Sequence, residues 1–165
     1  SPDPKFYGGF STDLSYKGIT LNAVFNYSYG AKKLSPYYES LITSRGTGVA
    51  SVDLVDRWSP ENTDAKFPRP IYNDPTDTET MYYNTFSASQ MDFSVQNASY
   101  LRLSTLSLAY TFPKTIVEKM KIGNLRVYST ISNVFCWTSY KGYDPETGDW
   151  YPPTRMFVFG LSVSL

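Results

Sequence analysis

The chain lacks several groups on which common catalytic and metal sites depend. It has no histidine, so a Ser-His-Asp arrangement is excluded, and the usual general base and zinc ligand are missing. Cys136 is the only cysteine, which excludes an internal disulfide and CxxC chemistry. We therefore expect no enzyme activity and no cofactor.

Long apolar runs and clustered charge are also missing. No stretch of about 18 apolar residues occurs, which excludes a transmembrane helix. The 15 basic and 15 acidic residues balance and form no basic cluster, so we expect no nucleic-acid partner. The chain begins Ser1-Pro2-Asp3-Pro4, with neither Met nor a signal peptide, and we expect it to be a mature or internal piece of a longer protein.

Aromatic residues are abundant, and 15 of them are tyrosines. Aromatic side chains with a polar tip suit a membrane–water boundary. Secreted carbohydrate-binding β-domains also use many Tyr and Trp residues. Composition alone therefore leaves a membrane barrel and a secreted β-sandwich module open.

Alternating apolar and polar residues predict long β-strands. Residues 6–16 place Phe6, Phe10 and Leu14 on one face, and residues 19–29 repeat the pattern after the two-residue turn Lys17-Gly18. Each run has the length of about 9–11 residues that a tilted strand needs to cross a bilayer. The apolar face would meet a protein core in a soluble hairpin and lipid in a barrel, and alternation does not choose between them.

We predict five strands, at about residues 6–16, 19–29, 100–112, 124–138 and 154–165. In the third strand the apolar phase switches between Leu103 and Leu106, which predicts a β-bulge near Ser104-Thr105. In the fourth strand Asn133 interrupts the alternation. The fifth strand presents one apolar face, made by Phe157, Phe159, Leu161 and Val163.

The connections between these strands alternate in length. The first turn has two residues, and the connection after Pro113 is short and contains one or two predicted helical turns over Thr115–Met120. The other two connections, residues 30–99 and 139–153, are long, and the first has a predicted short helix over 49–58. Outer-membrane barrels sort their loops in this way, with short periplasmic turns and long extracellular loops. Five strands leave two free edges, so a barrel would need further strands from elsewhere.

Several motifs occur in a fixed order along nearly the whole chain. They are Tyr7-Gly8-Gly9-Phe10-Ser11, Phe25-Asn26-Tyr27-Ser28-Tyr29-Gly30, Asp56-Arg57-Trp58-Ser59-Pro60, Ala98-Ser99-Tyr100-Leu101-Arg102-Leu103, Asn124-Leu125-Arg126-Val127-Tyr128 and Lys141-Gly142-Tyr143-Asp144-Pro145-Glu146. Each motif is weak alone, but the ordered series resembles the C-terminal end of SusC/RagA-type TonB-dependent outer-membrane transporters.

The resemblance implies an all-β fold, in which this chain forms the last five antiparallel strands of a transmembrane β-barrel of about 22 strands with long extracellular loops. It implies import of glycans, oligosaccharides or peptides across the outer membrane of a Gram-negative, Bacteroidetes-type bacterium. The implied partners are the plug and other strands of the same transporter, a SusD-like surface lipoprotein, outer-membrane lipid, and TonB through the missing upstream part.

Candidate contact residues lie in the long loops. The aromatic side chains of Trp58, Tyr143, Trp150 and Tyr151 could stack on substrate or on the lid protein, or could pack within the loops and hold them rigid. The carboxylates of Asp144, Glu146 and Asp149 form a calcium candidate, although turn chemistry explains the same residues.

The alternative is a secreted β-sandwich module that binds carbohydrate through exposed Tyr and Trp. A sandwich would bury the apolar face of the last strand against a second sheet, whereas a barrel would point it outward.

Overall fold

The computed structural model describes residues 1–42, 49–67, 92–148 and 151–164. The chain divides into two compact units. The sheet unit comprises Pro4–Gly30, Ser99–Ser139 and Pro153–Leu165, and the loop unit comprises Ser1–Asp3, Ala31–Ala98 and Tyr140–Pro152. Within the described ranges, no helix has both the length and the apolar character required to cross a membrane.

The sheet unit contains five antiparallel strands in the order β1-β2-β5-β6-β7. Their bounds are β1 Phe6–Tyr16, β2 Ile19–Tyr29, β5 Tyr100–Thr111, β6 Asn124–Thr138 and β7 Met156–Ser164. These bounds differ from the predicted ranges by no more than two residues at either end. The predicted five-stranded antiparallel sheet is confirmed.

The strand register keeps one apolar face continuous across the whole sheet. Cross-strand partners lie on the same face of an antiparallel pair. Phe10 pairs with Phe25, Phe25 pairs with Leu103, and Leu103 pairs with Phe135. Nearer the short turns, Ile131 pairs with Phe157. The opposite face carries mainly polar residues, and they make contacts such as the Asn22 amide donating to the Asp13 carboxylate at 2.8 Å.

The predicted β-bulge lies at Ser104. Val24 pairs with Thr105, whereas the next residue, Phe25, pairs with Leu103, so Ser104 is the extra residue. The Ser104 hydroxyl donates to the Val24 carbonyl at 3.3 Å. Without this extra residue, one half of β5 would direct its leucines to the polar face.

The interruption of β6 at Asn133 is also present. Asn133 has a left-handed backbone with φ of 52°, a conformation that Asn tolerates better than most residues. Its side-chain amide donates to the Thr154 carbonyl at 2.8 Å, and Arg155 donates to the Val134 carbonyl at 2.7 Å. The pairing of β6 with β7 ends at Ser132 and Met156. Beyond that pair, on the long-loop side, these side chains join β6 to the segment that precedes β7.

Among the described residues of the sheet unit, no second layer packs on the apolar face. Phe157, Phe159, Leu161 and Val163 expose 56%, 76%, 63% and 49% of their surface. A β-sandwich would bury these side chains. Their exposure is the feature that separates the two candidate folds, and it does not favour the sandwich.

Aromatic pairs lie at both ends of the apolar face, and Phe10 stacks on Phe25 nearer its middle with ring centroids 4.7 Å apart. At the long-loop end, Phe6 stacks on Tyr29 with ring centroids 4.9 Å apart, and at the short-turn end Tyr110 meets Phe112 edge-on at 4.8 Å. Aliphatic residues such as Leu106 lie between them. Strands β1 and β2 have 11 residues each, which corresponds to a length of about 36 Å. A strand of this length, tilted by about 45°, rises roughly 25 Å along the membrane normal, which is the height of the apolar band of a membrane barrel.

The connection after β5 contains the predicted helical turns. Helix α2, Lys114–Val117, is followed by a 3₁₀ helix, Glu118–Met120. Val117 is buried, and its carbonyl accepts from the amide of Ile122 at 3.2 Å. Thr111, the last residue of β5, donates to the carbonyl of Gly18 at 2.8 Å, so the start of this connection lies beside the first hairpin turn.

The loop unit contains elements that the sequence patterns did not predict. They are β3 Lys32–Leu34 and β4 Val95–Asn97, which pair antiparallel, and helix α1 Pro36–Ile42. The helix predicted over 49–58 is a 3₁₀ helix, Val52–Asp56. It is shorter than predicted because Ser51 caps its start and Arg57 is already extended.

Placing a charge on the apolar face tests which solvent that face contacts. Leu106 lies near the middle of the band, between Ala23 and Ile131. In the whole protein, we expect Leu106→Arg to destabilise the folded barrel by about 2–4 kcal/mol, because hydrocarbon solvates a guanidinium poorly. Urea unfolding in lipid vesicles measures the change.

The matched control is Asn22→Arg on the opposite face, where the new guanidinium can pair with Asp13. We expect this change to cost much less. Equal losses for the two variants would contradict a lipid-facing apolar flank.

Candidate functional site

The loop unit has a small apolar core formed by separate chain segments. Tyr38 and Ile42 come from α1, Leu54 comes from the 3₁₀ helix, and Phe67 comes from the segment that follows it. The Ser35 hydroxyl accepts from the Tyr38 amide at 3.1 Å and so satisfies a free donor at the start of α1. This core holds the loop elements in fixed positions.

A second cluster attaches the 139–153 loop to the strand pair. Tyr140 is buried with Ala31 and Ala98, and its hydroxyl donates to the Leu34 carbonyl at 3.3 Å. Farther along, the Lys33 ammonium donates to the Glu146 carbonyl at 2.8 Å. The two long loops therefore form one unit.

Lys141, next to Tyr140, forms the only ion pair found among the described residues. Its ammonium lies 2.5 Å from the Asp53 carboxylate, which also accepts from the Tyr38 hydroxyl at 2.6 Å. The ammonium also lies 5.2 Å from the centre of the Tyr38 ring. We name Tyr38, Asp53 and Lys141 the loop clasp.

The contacts within the loop clasp favour the charged forms of Asp53 and Lys141 and the neutral form of Tyr38. The hydrogen bond from Lys141, followed by that from Tyr38, lowers the pKa of Asp53 below its ordinary value. The bond to Asp53 raises the pKa of Lys141, and burial together with the Asp53 carboxylate raises the pKa of Tyr38. Asp53 and Lys141 therefore remain charged, and Tyr38 remains neutral, at neutral pH.

Three of the four candidate aromatic residues lie in the described ranges, and each has a different environment. Tyr143 stacks on Tyr37 with centroids 4.4 Å apart and an interplanar angle of 27°, and half of it remains exposed. Trp58 is 41% exposed, and its amide donates to the Phe67 carbonyl at 2.7 Å. Tyr151 is 70% exposed. Trp150 lies outside the described residues.

The Tyr37–Tyr143 pair is a feature that sequence reasoning missed. Tyr37 belongs to α1, and 106 residues of chain separate it from Tyr143. The repeated tyrosines at Tyr37-Tyr38 were the available signal, but nothing in the sequence indicates which loop they meet. Tyr143 therefore packs within the loop unit and still exposes half of its surface.

Shortly before Trp58 in the chain, the loop unit exposes apolar side chains. Val52 and Val55 lie on the 3₁₀ helix three residues apart, a spacing that puts them on one side of such a helix. They expose 82% and 80% of their surface, and Val49 exposes as much. Contiguous exposed apolar groups of this kind mark interaction surfaces.

Asp144, the first residue of the calcium candidate, forms hydrogen bonds within a turn. The Asp144 Oδ1 accepts from the amides of Glu146 and Thr147 at 2.9 and 3.0 Å, and Gly148 donates to the Asp144 carbonyl at 2.9 Å. This arrangement is a side-chain-capped turn. Asp149 lies outside the described residues, and in the ranges that are described no three His, Cys, Asp or Glu residues group as metal ligands.

Comparisons with known proteins give matches over nearly the whole chain. No protein-family profile matches. TonB-dependent receptor P3 of Formosa agariphila is 30% identical over 98% of this chain and 16% of the receptor. TonB-dependent receptor SusC of Bacteroides thetaiotaomicron is 39% identical over 44% of this chain and 8% of the receptor.

Solved structures give a matching result. The structure of the RagAB peptide transporter superposes with a TM-score of 0.74 at 29% identity, and the RagAB peptide importer in the open-open state superposes with a TM-score of 0.72 at 30% identity. Each alignment covers all of this chain and 18% of the solved chain. This chain therefore spans less than a fifth of the length of the proteins that it matches.

The loop clasp predicts how the attachment of the 139–153 loop depends on pH. A lowered Asp53 pKa stabilises the fold above the ordinary carboxyl value of 3.8, and this contribution is lost as the pH falls through the lowered value. A raised Lys141 pKa stabilises the fold below 10.5, and this contribution is lost as the pH rises through the raised value. Hydrogen exchange at residues 141–148, corrected for intrinsic rates, should be constant from about pH 5 to 9 and should speed up below 3.8.

Asp53→Asn is the control for this prediction. Because the pair is partly exposed, its loss should cost at most about 1 kcal/mol and raise exchange by no more than about fivefold at pH 7. The variant should also lose the acid-dependent change in exchange. An unchanged acid response in Asp53→Asn would contradict the assignment of the clasp.

Proposed function

The chain belongs to the SusC/RagA-type TonB-dependent transporters, which lie in the outer membrane of Bacteroidetes, and we propose that it supplies the last five strands of a barrel of about 22 strands. In this proposal it performs no chemistry of its own. Its role is mechanical: it completes the barrel wall and carries two extracellular loops. The plug and the TonB-contacting segment lie upstream in the whole transporter.

One observation carries the proposal, which is the continuous exposed apolar face on all five strands. In hydrocarbon, each unpaired backbone N–H or C=O costs several kcal/mol, so a membrane sheet must close on itself. In the sheet of the described residues, β1 and β7 are edge strands. Their free edges therefore require further strands, which fits a chain that spans less than a fifth of its relatives.

We propose a chemical class of cargo for the transporter. RagAB is described as a peptide importer, and the other relatives are described as TonB-dependent receptors. For the whole transporter to which this chain belongs, we propose import of glycans, oligosaccharides or peptides, driven by energy delivered through TonB. The relatives are receptors and importers by name, which supports a transport role over an enzymatic one.

A SusD-like surface lipoprotein is the proposed partner of the loop unit. The exposed side chains of Val52 and Val55 and the neighbouring Trp58 offer an apolar surface that a protein lid can cover. Tyr143, Tyr151 and, by its sequence position, Trp150 are the proposed contacts to substrate or lid. The β-sandwich module is not favoured, because the face that it would bury is open.

Uptake by whole cells tests the transport proposal. Cells with and without the whole transporter are given fluorescent oligosaccharides and peptides, before and after a proton-motive-force uncoupler. We expect at least one cargo class to enter only when both the transporter and the proton-motive force are present. Uptake that is independent of either one, for every class, would contradict the proposal.

Variants of the loop aromatics test their proposed contact role. We expect Tyr151→Ala and Trp58→Ala to reduce uptake or lipoprotein co-purification about fivefold each, as loss of a contact of about 1 kcal/mol would. The amount of folded barrel in the membrane should not change. Phe10→Ala, on the apolar face of the sheet, is the control. An equal loss of uptake or co-purification in this variant would contradict a specific contact role for the loop aromatics.

A further inference from the structure

The short-turn end of the sheet carries an uneven distribution of charge. Lys17 lies in the first turn, and the connection after β5 holds Lys114, Lys119 and Lys121 against a single acid, Glu118. All four lysines are exposed. Among the described residues, none of their ammonium groups lies within the 4.0 Å ion-pair distance of a carboxylate.

The backbone places these lysines in two segments at the same end of the β2–β5 strand pair. The amide of Thr111, the last residue of β5, donates to the Gly18 carbonyl in the first turn, and a Cβ on Gly18 would lie only 2.5 Å from the Thr111 carbonyl oxygen. The Lys121 backbone is left-handed, with φ of 56°, and its amide donates to the Glu118 carbonyl at 3.0 Å. The charge is therefore presented by two turns at the same end of the paired strands β2 and β5, each with defined backbone hydrogen bonds.

An apolar groove lies on the apolar face at the same end of the sheet. Its volume is about 440 Å³, and Ile19, Leu108, Tyr110, Val127, Ser129 and Phe159 line it. Ser129 produces the groove, because its small side chain lies between its cross-strand partners Leu108 and Phe159. Ile19, which lines the groove, is two residues from Lys17 in the chain, so the groove lies at the strand end that carries the first charged turn.

Further side chains at this end suit a membrane–water boundary. Ile116 and Met120 are exposed apolar groups among the lysines, and the Lys17 ammonium lies 5.2 Å from the centre of the Tyr16 ring. Lysine stems can lie along apolar surface while their charged ends reach the polar headgroups. Apolar and cationic groups thus alternate over the same small surface.

We propose that this end of the sheet binds an anionic phospholipid, with an acyl chain in the Ser129 groove and the phosphate among Lys17, Lys114, Lys119 and Lys121. The inference rests on the proposed membrane-spanning role and adds a specific lipid site to it. The occupant follows from two features together, since the groove alone would accept any acyl chain and the lysines select negative charge. Short turns face the periplasm in outer-membrane barrels, so the lipid comes from the inner leaflet.

Native mass spectrometry of the whole transporter, titrated with phosphatidylglycerol or phosphatidylcholine, tests the lysines. The combined change Lys114→Gln, Lys119→Gln and Lys121→Gln should raise the apparent Kd for phosphatidylglycerol at least about tenfold, because each lysine near a lipid surface contributes about fivefold. The matched control is Lys5→Gln, Lys32→Gln and Lys66→Gln, which should leave that Kd unchanged. Phosphatidylcholine binding should be the same in both.

A second variant tests the groove and distinguishes a lipid from free phosphate. Ser129→Leu fills the space between Leu108 and Phe159 and should weaken phosphatidylglycerol binding while leaving inorganic phosphate binding unchanged. Ser162→Leu, on the opposite face, is the control and should have no effect. If Ser129→Leu does not fold, the lysine variants still test the proposal.

The outcomes separate this proposal from the transport proposal. Lipid binding without a preference for phosphatidylglycerol, an equal effect of the two triple-lysine changes, or no effect of Ser129→Leu would overturn the lipid site alone. A whole protein that is soluble and retains no lipid of either kind would overturn the membrane-spanning role as well.

Discussion

Backbone hydrogen bonding in hydrocarbon is the constraint on which the rest of this structure depends. A strand that crosses a bilayer must pair every N–H and C=O with a neighbouring strand, and it must still present only apolar side chains to lipid. In this sheet β2, β5 and β6 have neighbours on both sides, and the face that they share is apolar apart from Ser129. The apolar face stays continuous through the Ser104 bulge, where the chain inserts one residue and keeps its leucines on the apolar face.

The sheet was predictable from the sequence because its information is local. Period-two alternation, the Lys17-Gly18 turn and the switch of apolar phase after Leu103 each involve neighbouring residues. They gave strand bounds close to those observed and placed the bulge correctly. The same alternation could not decide which solvent meets the apolar side; that distinction rests on the exposure of Phe159 and its neighbours and on the relatives.

The loop unit was much less predictable, because its contacts join segments far apart in the chain. Nothing near Lys141 in the sequence indicates Asp53 as its partner, and the Tyr37–Tyr143 stack has no local signal. The short pair β3 and β4 has three residues in each strand, too few to show alternation. The loop aromatics could be identified as a set, but sequence could not tell which of them pack, as Tyr143 does, and which stay exposed, as Tyr151 does.

Spin-label accessibility along β5 tests most directly whether lipid contacts the apolar flank. Single cysteines are placed from Leu101 to Tyr110 in the whole protein, with Cys136 replaced by Ser, and each label is probed in bilayers with oxygen and with a water-soluble nickel complex. Lipid contact predicts oxygen access at Leu101, Leu103, Leu106, Leu108 and Tyr110, and a change of phase at Ser104. Labels at those positions that neither reagent reaches would mean that a protein layer covers the flank, and would contradict the account.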